Sequence, residues 1–272
     1  DMGPHAELKA CVSCVHDTTL ATTLGAGVNG SRAIVGTVEH LLAALKGMGV
    51  DNARVHVDGP EIPVLDGSAG RFVELLRLSG LESQRALKRF FVIKREVKVT
   101  DGDKMARLTP GSGLQIRCSV DFDHPLIPPT PFEYDLAERT FEREVAQART
   151  FGFLQDVEAL RARGLARGGS LDNAVVIDQY QVLNPDGLRY PDEFVRHKVL
   201  DAIGDLALFG MQVVGKLDLH RSGHALNTKL VQAVLADRKA YEIVEPEEQD
   251  FELASQGEPS RFPAFEPVKT VA

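Results

Sequence analysis

Tryptophan is absent from this sequence of 272 residues, cysteine occurs three times, and no apolar run is long. A membrane-spanning helix needs about 20 mainly apolar residues in a row, so the sequence predicts none, and we expect no signal peptide. Three cysteines cannot build a disulfide scaffold, and we expect a reducing, cytoplasmic compartment. Basic residues are fewer than acidic ones, and the net charge of −8 argues against nonspecific binding to nucleic acid.

Several motifs are incomplete or missing. Cys11 and Cys14 form a single C-x-x-C pair without the second pair that a zinc knuckle requires. The alternating residues 8–12 instead predict a strand with one cysteine facing inward. No glycine-rich phosphate loop is present, which disfavours a nucleotide-transferring kinase, and no fixed-period repeat indicates a repeat architecture.

The rest of the composition is ordinary for a globular chain, with 43% hydrophobic and 26% charged residues. The length suits one large domain or two of medium size. We place a boundary in the polar segment 82–88, which gives a first domain at residues 1–84 and a second at residues 85–272. Each half contains strands and two helices, which predicts an α+β fold of two similar layers.

Periodicity and turn residues predict the elements of each half. In the first half we expect a Gly/Asn turn at 25–31, a helix at 37–47 capped by Thr37 with an apolar stripe of Val38, Leu41, Leu42 and Leu45, a strand at 52–58, and a helix at 66–78. In the second half we expect strands at 90–99 and 114–122, a helix at 136–148, a strand–helix–strand unit at 151–177, a helix around His197, a strand at 213–218 and a helix at 226–236. Residues 1–5 look like an expression remnant, and the acidic, proline-rich tail 245–272 is expected to pack loosely.

The helix around His197 contains the best candidates for chemistry. His197 and Asp201 are four residues apart, which places them one turn apart on the same helix face. A histidine and a carboxylate at this spacing can bind one divalent metal ion, as paired histidines do in zinc helices. A surface His/Asp pair that only supports the helix is the alternative.

Glu39 and His40 offer the rest of such a site, because they lie in the first turn of the predicted helix at 37–47. A catalytic zinc site uses three protein ligands and keeps one position open for water. His40 is the best third ligand, since the neighbouring Glu39 could hold that water and take its proton. The alternative is a solvated first helical turn.

Two further residues are candidates on local grounds. His224 precedes a helix in the turn at 221–225, whose small residues allow a substrate to approach closely; it could equally be an ordinary loop histidine. Thr150 could turn its hydroxyl toward a developing oxyanion, or it could simply end a helix. The histidines without such neighbours are expected to be structural or solvated: His16, His56, His124 and His220.

Five segments together carry a resemblance to a known family. They are T-V-E-H-L-L-A-A-L (37–45), E-I-P-V-L-D-G-S-A (61–69), A-R-T-F-G-F (148–153), D-E-F-V-R-H-K-V-L-D-A-I-G-D (192–205) and S-G-H-A-L-N (222–227). In this order and at these intervals they resemble the UDP-3-O-acyl-N-acetylglucosamine deacetylases. Those enzymes are the zinc amidases of lipid A biosynthesis in Gram-negative bacteria.

The resemblance implies a fold and a metal site. The fold would be two similar α+β sandwich domains, each a sheet packed on two helices, with the active site between them. His40, His197 and Asp201 would bind zinc, and Glu39 would be the general base.

The resemblance also implies roles for polar residues around the metal. His224, oriented by Asp205, would be the cationic partner of the oxyanion and of the leaving amine. Thr150 would contact the oxyanion. Lys198 would bind the polar head of the substrate, and Arg221 would supply a positive charge for the diphosphate at a position where the family often has lysine.

The strand–helix–strand unit, at about residues 150–178, resembles the insert of the family's second domain. In the family this insert encloses the acyl chain of the substrate in an apolar passage. The residues at substrate-binding positions are Phe151, Leu154, Ala166, Ser170, Ala174 and Val176.

One departure from the family concerns the start of the chain. Family members usually begin earlier, with strands and a G-x-G-L-H-type turn that this sequence does not contain. We therefore expect the first domain to lack these strands, which would leave its sheet without edge strands.

Together these observations predict a monomeric, cytoplasmic, zinc-dependent deacetylase that acts on a UDP-sugar lipid and binds no nucleic acid. Its products would be acetate and the free 2-amino sugar nucleotide. The alternatives are another metal-dependent amidase with the same ligands, or a catalytically impaired or truncated zinc-binding homologue.

Overall fold

The computed structural model describes residues 7–28, 31–129, 131–136, 138–166 and 168–246. The predicted expression remnant and nearly all of the predicted loose tail lie outside the described residues. Among the helices in these ranges, none is both long enough and apolar enough to cross a membrane.

The chain begins with a small antiparallel sheet of three strands, β1 (Val15–Asp17), β2 (Thr23–Val28) and β3 (Ser31–Val35). Two predictions are wrong here. Residues 25–28 are not a turn, because they pair with β3 across a hairpin. The C-x-x-C segment is not a strand but a 3₁₀ turn (Val12–Cys14), and the side chain that it buries is Val12. The prediction that the family's N-terminal strands are missing stays a prediction.

Helix α1 (Glu39–Gly47) does not bury the predicted leucine stripe most deeply. Leu41, Leu42 and Leu45 are partly buried, whereas the deeply buried face consists of Glu39, His40 and the small residues Ala43, Ala44 and Gly47. A Cβ atom at Gly47 would lie 2.2 Å from a ring carbon of Phe141, so only glycine fits there. Small residues let the helix approach its neighbours closely, which a stripe based on leucines does not anticipate.

The predicted helix cap at Thr37 is also wrong. Its hydroxyl donates to Glu61 Oε1 at 2.5 Å, and the cap position is occupied by Val38. Thr37 has a φ of 54°, which is unusual for a β-branched residue and reflects the sharp entry into α1. The cap prediction failed because the hydroxyl found a partner distant in sequence.

The connection between the first two helices contains no strand. The side chains at 52–58 alternate in sequence but all are exposed, and they pair with no other strand. Alternation without a surface to bury against does not make a strand. Helix α2 (Gly70–Ser79) follows the Asp66–Ser68 turn as predicted, and the Ser68 hydroxyl accepts a hydrogen bond from the Gly70 amide at 3.1 Å.

A mixed sheet of seven strands organises the rest of the chain. Its strands are β4 (Phe90–Ile93), β5 (Val97–Asp101), β6 (Lys104–Thr109), β7 (Leu114–Ser119), β8 (Phe132–Asp135), β11 (Gln212–His220) and β12 (Tyr241–Val244). β11 is central: its first residues pair with β4 in parallel, and the remainder lies between antiparallel β6 and parallel β7. The predicted strand at 90–99 is therefore two strands, and β6, β8 and β12 were not predicted.

The remaining helices are α3 (Glu138–Glu144), α4 (Leu154–Ala162), α5 (Glu193–Leu206) and α6 (His224–Ala236). Helix α3 is shorter than the predicted 136–148. Helix α4 lies between β9 (Phe151–Phe153) and β10 (Val175–Ile177), which pair in parallel as a separate two-stranded sheet. The predicted strand–helix–strand unit therefore has the expected order.

Helices α5 and α6 hold the site. Helix α5 packs against α1, α6 and β7, while α6 also packs against β5 and β6. Most buried apolar residues of both halves form one contiguous cluster. The α+β fold class is confirmed, and the predicted boundary lies in an irregular segment between α2 and β4. The division into domains at residue 84 stays a prediction.

Candidate functional site

Three helices bring the chemically interesting side chains together. Glu39 and His40 open α1, His197 lies inside α5, and His224 opens α6. Helices α1 and α5 touch at Gly204, where a Cβ atom would lie 2.1 Å from the Glu39 carbonyl oxygen. Any side chain at this position would push the two helices apart, so glycine is required for the close approach that forms the site.

His40, His197 and Asp201 form a cluster that could hold a metal ion. One potential ligand atom from each lies within 4.8 Å of the others, and all three residues are buried. The Nε2 atoms of His40 and His197 lie 3.7 Å and 3.2 Å from Asp201 Oδ1. Two imidazole nitrogens and one carboxylate oxygen are a donor set that divalent zinc accepts.

The hydrogen bonds leave acceptor atoms of this cluster facing one another without a proton between them. His197 Nδ1 lies 3.0 Å from the Ala148 carbonyl, which can only accept, so Nδ1 carries the proton. In the neutral ring, Nε2 then presents a lone pair toward Asp201 Oδ1. Asp201 Oδ1 and His40 Nδ1 are buried and lack a hydrogen-bond partner among the described residues. Lone pairs that face one another in a buried place are stabilised by a positive ion.

The protonation states of the cluster are those expected of residues that bind a metal ion. Burial lowers the pKa of His197, and the nearby Lys198 adds to this against the opposing charge of Asp201. Burial, followed by repulsion from His197, lowers the pKa of His40 to about 3. Burial alone would raise the pKa of Asp201, but the surrounding His197, Lys198 and His224 hold it well below its usual range. Neutral imidazoles and an ionised carboxylate are the protonation states that bind metal.

Lys198 fixes the other oxygen of the carboxylate. Its Nζ donates to Asp201 Oδ2 at 2.7 Å, which leaves Oδ1 for the cluster. Burial opposes charge on Lys198, yet Asp201 raises its pKa on balance. The ammonium also lies 5.7 Å from the centre of the Phe151 ring. Outer partners of this kind orient metal ligands.

Glu39 is a buried carboxyl beside the cluster, with only 3% of its surface exposed. Its Oε2 accepts the backbone N–H of Thr22 at 3.0 Å, and its Oε1 lies 3.9 Å from His224 Nε2. Burial raises the pKa of Glu39 to about 7, although His224 opposes the shift. A carboxyl with this pKa can both take and release a proton near neutral pH.

His224 pairs with a second carboxylate. Its Nδ1 donates to Asp205 Oδ2 at 3.0 Å, which leaves Nε2 directed toward Glu39 and Asp201. Burial would lower the pKa of His224, but Asp205 outweighs it and raises the pKa to about 9. This imidazole therefore carries a positive charge next to the cluster at neutral pH.

Asp205 is fully buried and is held by two residues that the sequence did not single out. Thr22 Oγ1 donates to Asp205 Oδ1 at 2.6 Å, and Asn227 Nδ2 donates to Asp205 Oδ2 at 2.8 Å. Asn227 lies three residues after His224 on α6, and this spacing could have revealed it. Thr22 lies in an irregular segment, and no local pattern marks it.

Thr150 lies next to the site, at the start of the unit formed by β9, α4 and β10. Its amide donates to the Gly67 carbonyl at 2.7 Å, and its carbonyl accepts from the Val175 amide at 2.8 Å. The preceding Arg149 makes a buried ion pair with Glu193, with Nε 2.8 Å from Oε1. These bonds hold the backbone that directly follows Ala148, whose carbonyl orients His197.

The residues predicted to bind the substrate differ in exposure. Phe151 is half-buried, and its ring packs edge-on against that of Phe194, with ring centres 5.0 Å apart. The centre of the Phe151 ring lies 6.2 Å from that of His197. Ala174 and Val176 are also half-buried, whereas Leu154, Ala166 and Ser170 are exposed. Arg221 forms ion pairs with Asp103 and, at 3.7 Å, with Asp121. The assignment of these residues to a substrate stays a prediction.

Comparisons with known proteins give a consistent result. Residues 1–236 match the family model described as LpxC, UDP-3-O-acyl N-acetylglycosamine deacetylase. A protein of that enzyme name from Myxococcus xanthus is 53% identical over 252 residues, which cover 93% of this chain and 79% of that protein. One from Anaeromyxobacter is 56% identical over 238 residues, covering 88% and 77% of the two chains. One from Pasteurella multocida is 48% identical over 246 residues, covering 90% and 80%.

Proposed function

The chain belongs to the UDP-3-O-acyl N-acetylglycosamine deacetylase family, and we propose that it hydrolyses the N-acetyl group of a UDP-3-O-acyl-N-acetylglucosamine in lipid A biosynthesis. The products are acetate and the sugar nucleotide with a free 2-amino group. The observation that carries this function is the buried cluster of His40, His197 and Asp201, flanked by a carboxyl and a cationic imidazole.

We propose that His40, His197 and Asp201 hold a zinc ion. The unpartnered Asp201 Oδ1 and the lone pair of His197 Nε2 support this assignment, and the nitrogen and oxygen donors suit zinc. When bound, zinc polarises the acetamide carbonyl and lowers the pKa of a coordinated water.

Glu39 is the proposed general base. It takes a proton from the attacking water, and its raised pKa suits it to hold that proton until the leaving nitrogen needs it. His224 Nε2 lies 3.9 Å from both Glu39 Oε1 and Asp201 Oδ2, so the proposed base lies beside the proposed metal ligands.

His224 is the proposed cationic partner of the reaction. Its Nε2 faces the same volume, where a positive charge stabilises the oxyanion of the tetrahedral intermediate. A proton can pass from His224 or Glu39 to the amine nitrogen as the C–N bond breaks. Asp205 keeps the ring protonated and correctly turned through the bond to Nδ1. The Thr150 hydroxyl is proposed as a further contact of the oxyanion.

We propose that the unit from β9 to β10 receives the acyl chain, along Phe151, Leu154, Ala166, Ser170, Ala174 and Val176. A mix of exposed and half-buried apolar positions supports a surface that a lipid chain covers on binding. Lys198 and Arg221 are the proposed partners of the polar head and the diphosphate. The cysteine content supports a cytoplasmic location, which we also propose.

A substrate panel tests the function. We expect the metal-loaded protein to release acetate from UDP-N-acetylglucosamine that carries a 3-O-acyl chain, and to do so much more slowly without that chain. Equal rates on both substrates and on unrelated acetamides would indicate another metal-dependent amidase. Stoichiometric metal without acetate release from any substrate would indicate an impaired homologue and contradict the proposal.

A further inference from the structure

Thr22 directs both its amide and its hydroxyl to carboxylates of the candidate site. Its amide donates to Glu39 Oε2 at 3.0 Å, and its hydroxyl donates to Asp205 Oδ1 at 2.6 Å. Its carbonyl accepts from the amide of Val38, the residue that precedes α1, at 3.2 Å. The side chain has 0% exposure. One residue from the start of the chain therefore joins two carboxylates that belong to different helices.

The bond to Asp205 helps to fix how that carboxylate is turned. Oδ1 accepts from the Thr22 hydroxyl at 2.6 Å and Oδ2 accepts from Asn227 at 2.8 Å, while His224 Nδ1 lies 3.0 Å from Oδ2 and 3.2 Å from Oδ1. Rotation of the carboxylate would weaken all three bonds. The orientation of His224, and hence the direction of its Nε2, depends on the hydroxyl of Thr22.

The bond from the Thr22 amide fixes the orientation of the Glu39 carboxyl, which lies across from His224. The Thr22 amide holds Oε2, which directs Oε1 toward His224 Nε2 across a gap of 3.9 Å. Backbone N–H groups do not change with the side chain at this position. A substitution at Thr22 can thus remove the hold on Asp205 while it leaves the hold on Glu39 in place.

We propose that Thr22 is a positioning residue that holds the general base Glu39 and the cationic imidazole of His224 in their orientations on either side of the reacting amide. This inference rests on the proposed deacetylase function. Thr22 acts through Asp205 and His224 and does not itself touch the substrate. Small displacements of reacting groups cost rate rather than binding, so its loss lowers kcat more than it changes KM.

The test compares Thr22→Val, which is close in shape but lacks the hydroxyl, with Thr22→Ser, which keeps it. We expect Thr22→Val to lower kcat by about 10-fold or more, with KM and metal content near those of the parent protein. Thr22→Ser, which keeps the hydroxyl, should have a kcat within about threefold of that of the parent protein. The matched control is Thr228→Val, because Thr228 is a buried threonine on α6 whose hydroxyl has no hydrogen-bond partner among the described residues; its kcat should stay unchanged.

A double-mutant cycle separates positioning from general destabilisation. If Thr22 acts through Asp205, the Thr22→Val change should have little further effect on kcat in an Asp205→Asn background. Additive losses, an unchanged kcat in Thr22→Val, or equal losses in Thr22→Val and Thr22→Ser would each overturn the proposal. If Thr22→Val does not fold, Thr22→Ala and Thr22→Ser, which differ by one oxygen, give the same comparison.

The parent protein, measured in parallel, separates this inference from the function on which it rests. Absence of acetate release by the metal-loaded parent overturns the proposed function and this role with it. Release by the parent together with undiminished release by Thr22→Val overturns the role of Thr22 alone.

Discussion

Two neighbouring regions of the molecule differ in how deeply their side chains are buried. The first, which we call the polar seam, consists of Thr22, Glu39, His40, His197, Asp201, Asp205, His224 and Asn227. Its most exposed member, His224, shows only 8% of its surface. The second is the insert at residues 151–177, whose helix α4 contains no buried residue and whose Leu154 is 47% exposed.

The difference shows where chemistry and selectivity can reside. Inside the seam, a polar group that loses its partner pays the full cost of burial, and most side chains there are hydrogen-bonded to other members of the seam. In the insert, many side chains are exposed, and a change of an exposed side chain alters mainly the shape of the surface. We therefore expect changes in the seam to lower turnover, and changes in the insert to alter the choice of acyl chain.

The largest effect on turnover should follow from removing the proposed base, Glu39. Glu39→Gln keeps the shape and the bond from the Thr22 amide but cannot take a proton, so kcat should fall by about 10²- to 10⁴-fold. Metal content, measured by elemental analysis, should stay near that of the parent. A variant that keeps most of its kcat would show that another group is the base. Glu61→Gln, on an exposed residue, is the control.

A somewhat smaller loss of kcat is expected when the cationic side chain of the seam, His224, is removed. His224→Ala removes the charge that faces the reaction volume, and kcat should fall by about 10²-fold while metal stays bound. His220→Ala provides a comparison, because His220 is a half-buried histidine on β11 that bonds to Ser119. Near-normal kcat in His224→Ala would contradict the proposed role.

The pH dependence sharpens the comparison between the two sides of the seam. The charged groups facing His224 are Asp205, Glu39 and Asp201. In its proposed role His224 must be protonated, so activity is lost as pH rises through its pKa; burial lowers this pKa, but Asp205 outweighs burial and raises it to about 9. In its proposed role Glu39 must be ionised, so activity appears as pH rises through a pKa that burial has raised to about 7. The profile of kcat/KM should be bell-shaped, and both limbs belong to the coupled pair.

Asp205→Asn should then move the basic limb to lower pH, because the charge that favours the imidazolium is gone. The acidic limb should move less, since Asp205 is only a minor cause of the shift at Glu39. Measuring kcat/KM across the pH range checks this. An unmoved basic limb would mean that the limb reports a group other than His224, such as Lys198.

The smallest effect on turnover is expected in the insert. Ala174→Phe adds bulk at a half-buried position, so KM should rise more for long-chain than for short-chain substrates, at about 0.8 kcal/mol for each methylene displaced. Ala162→Phe, at the exposed end of α4, is the control and should leave KM unchanged. Equal effects of Ala174→Phe on both chain lengths would contradict an acyl passage here.

The site residues that could be predicted from the sequence are those related by local helical spacing, whereas those related only by distant contacts could not. Helix α5 places His197 and Asp201 on one face, a relation within four residues that the helical period determines. The Thr22–Asp205 bond joins residues 183 positions apart, and no local pattern encodes it. Thr22 therefore became visible only in the fold, although His40, Glu39 and His224 were candidates from sequence.

Failures of element prediction have a related cause. The segment 52–58 alternates like a strand but has no sheet to join, and residues 25–28 look like a turn but pair with β3. In both places the partner, not the local sequence, decides the structure. The details predicted for α1 were wrong for the same reason, because its deeply buried positions include small residues that allow close packing against other helices, rather than the predicted leucines.

The central claim is that His40, His197 and Asp201 form one metal site on which turnover depends. Its most direct test is elemental analysis of the purified parent protein and of His197→Ala, measured beside acetate release, with His220→Ala as control. We predict one zinc per chain in the parent and in the control, and loss of both tight zinc binding and activity in His197→Ala. Full zinc occupancy in His197→Ala would contradict the assignment.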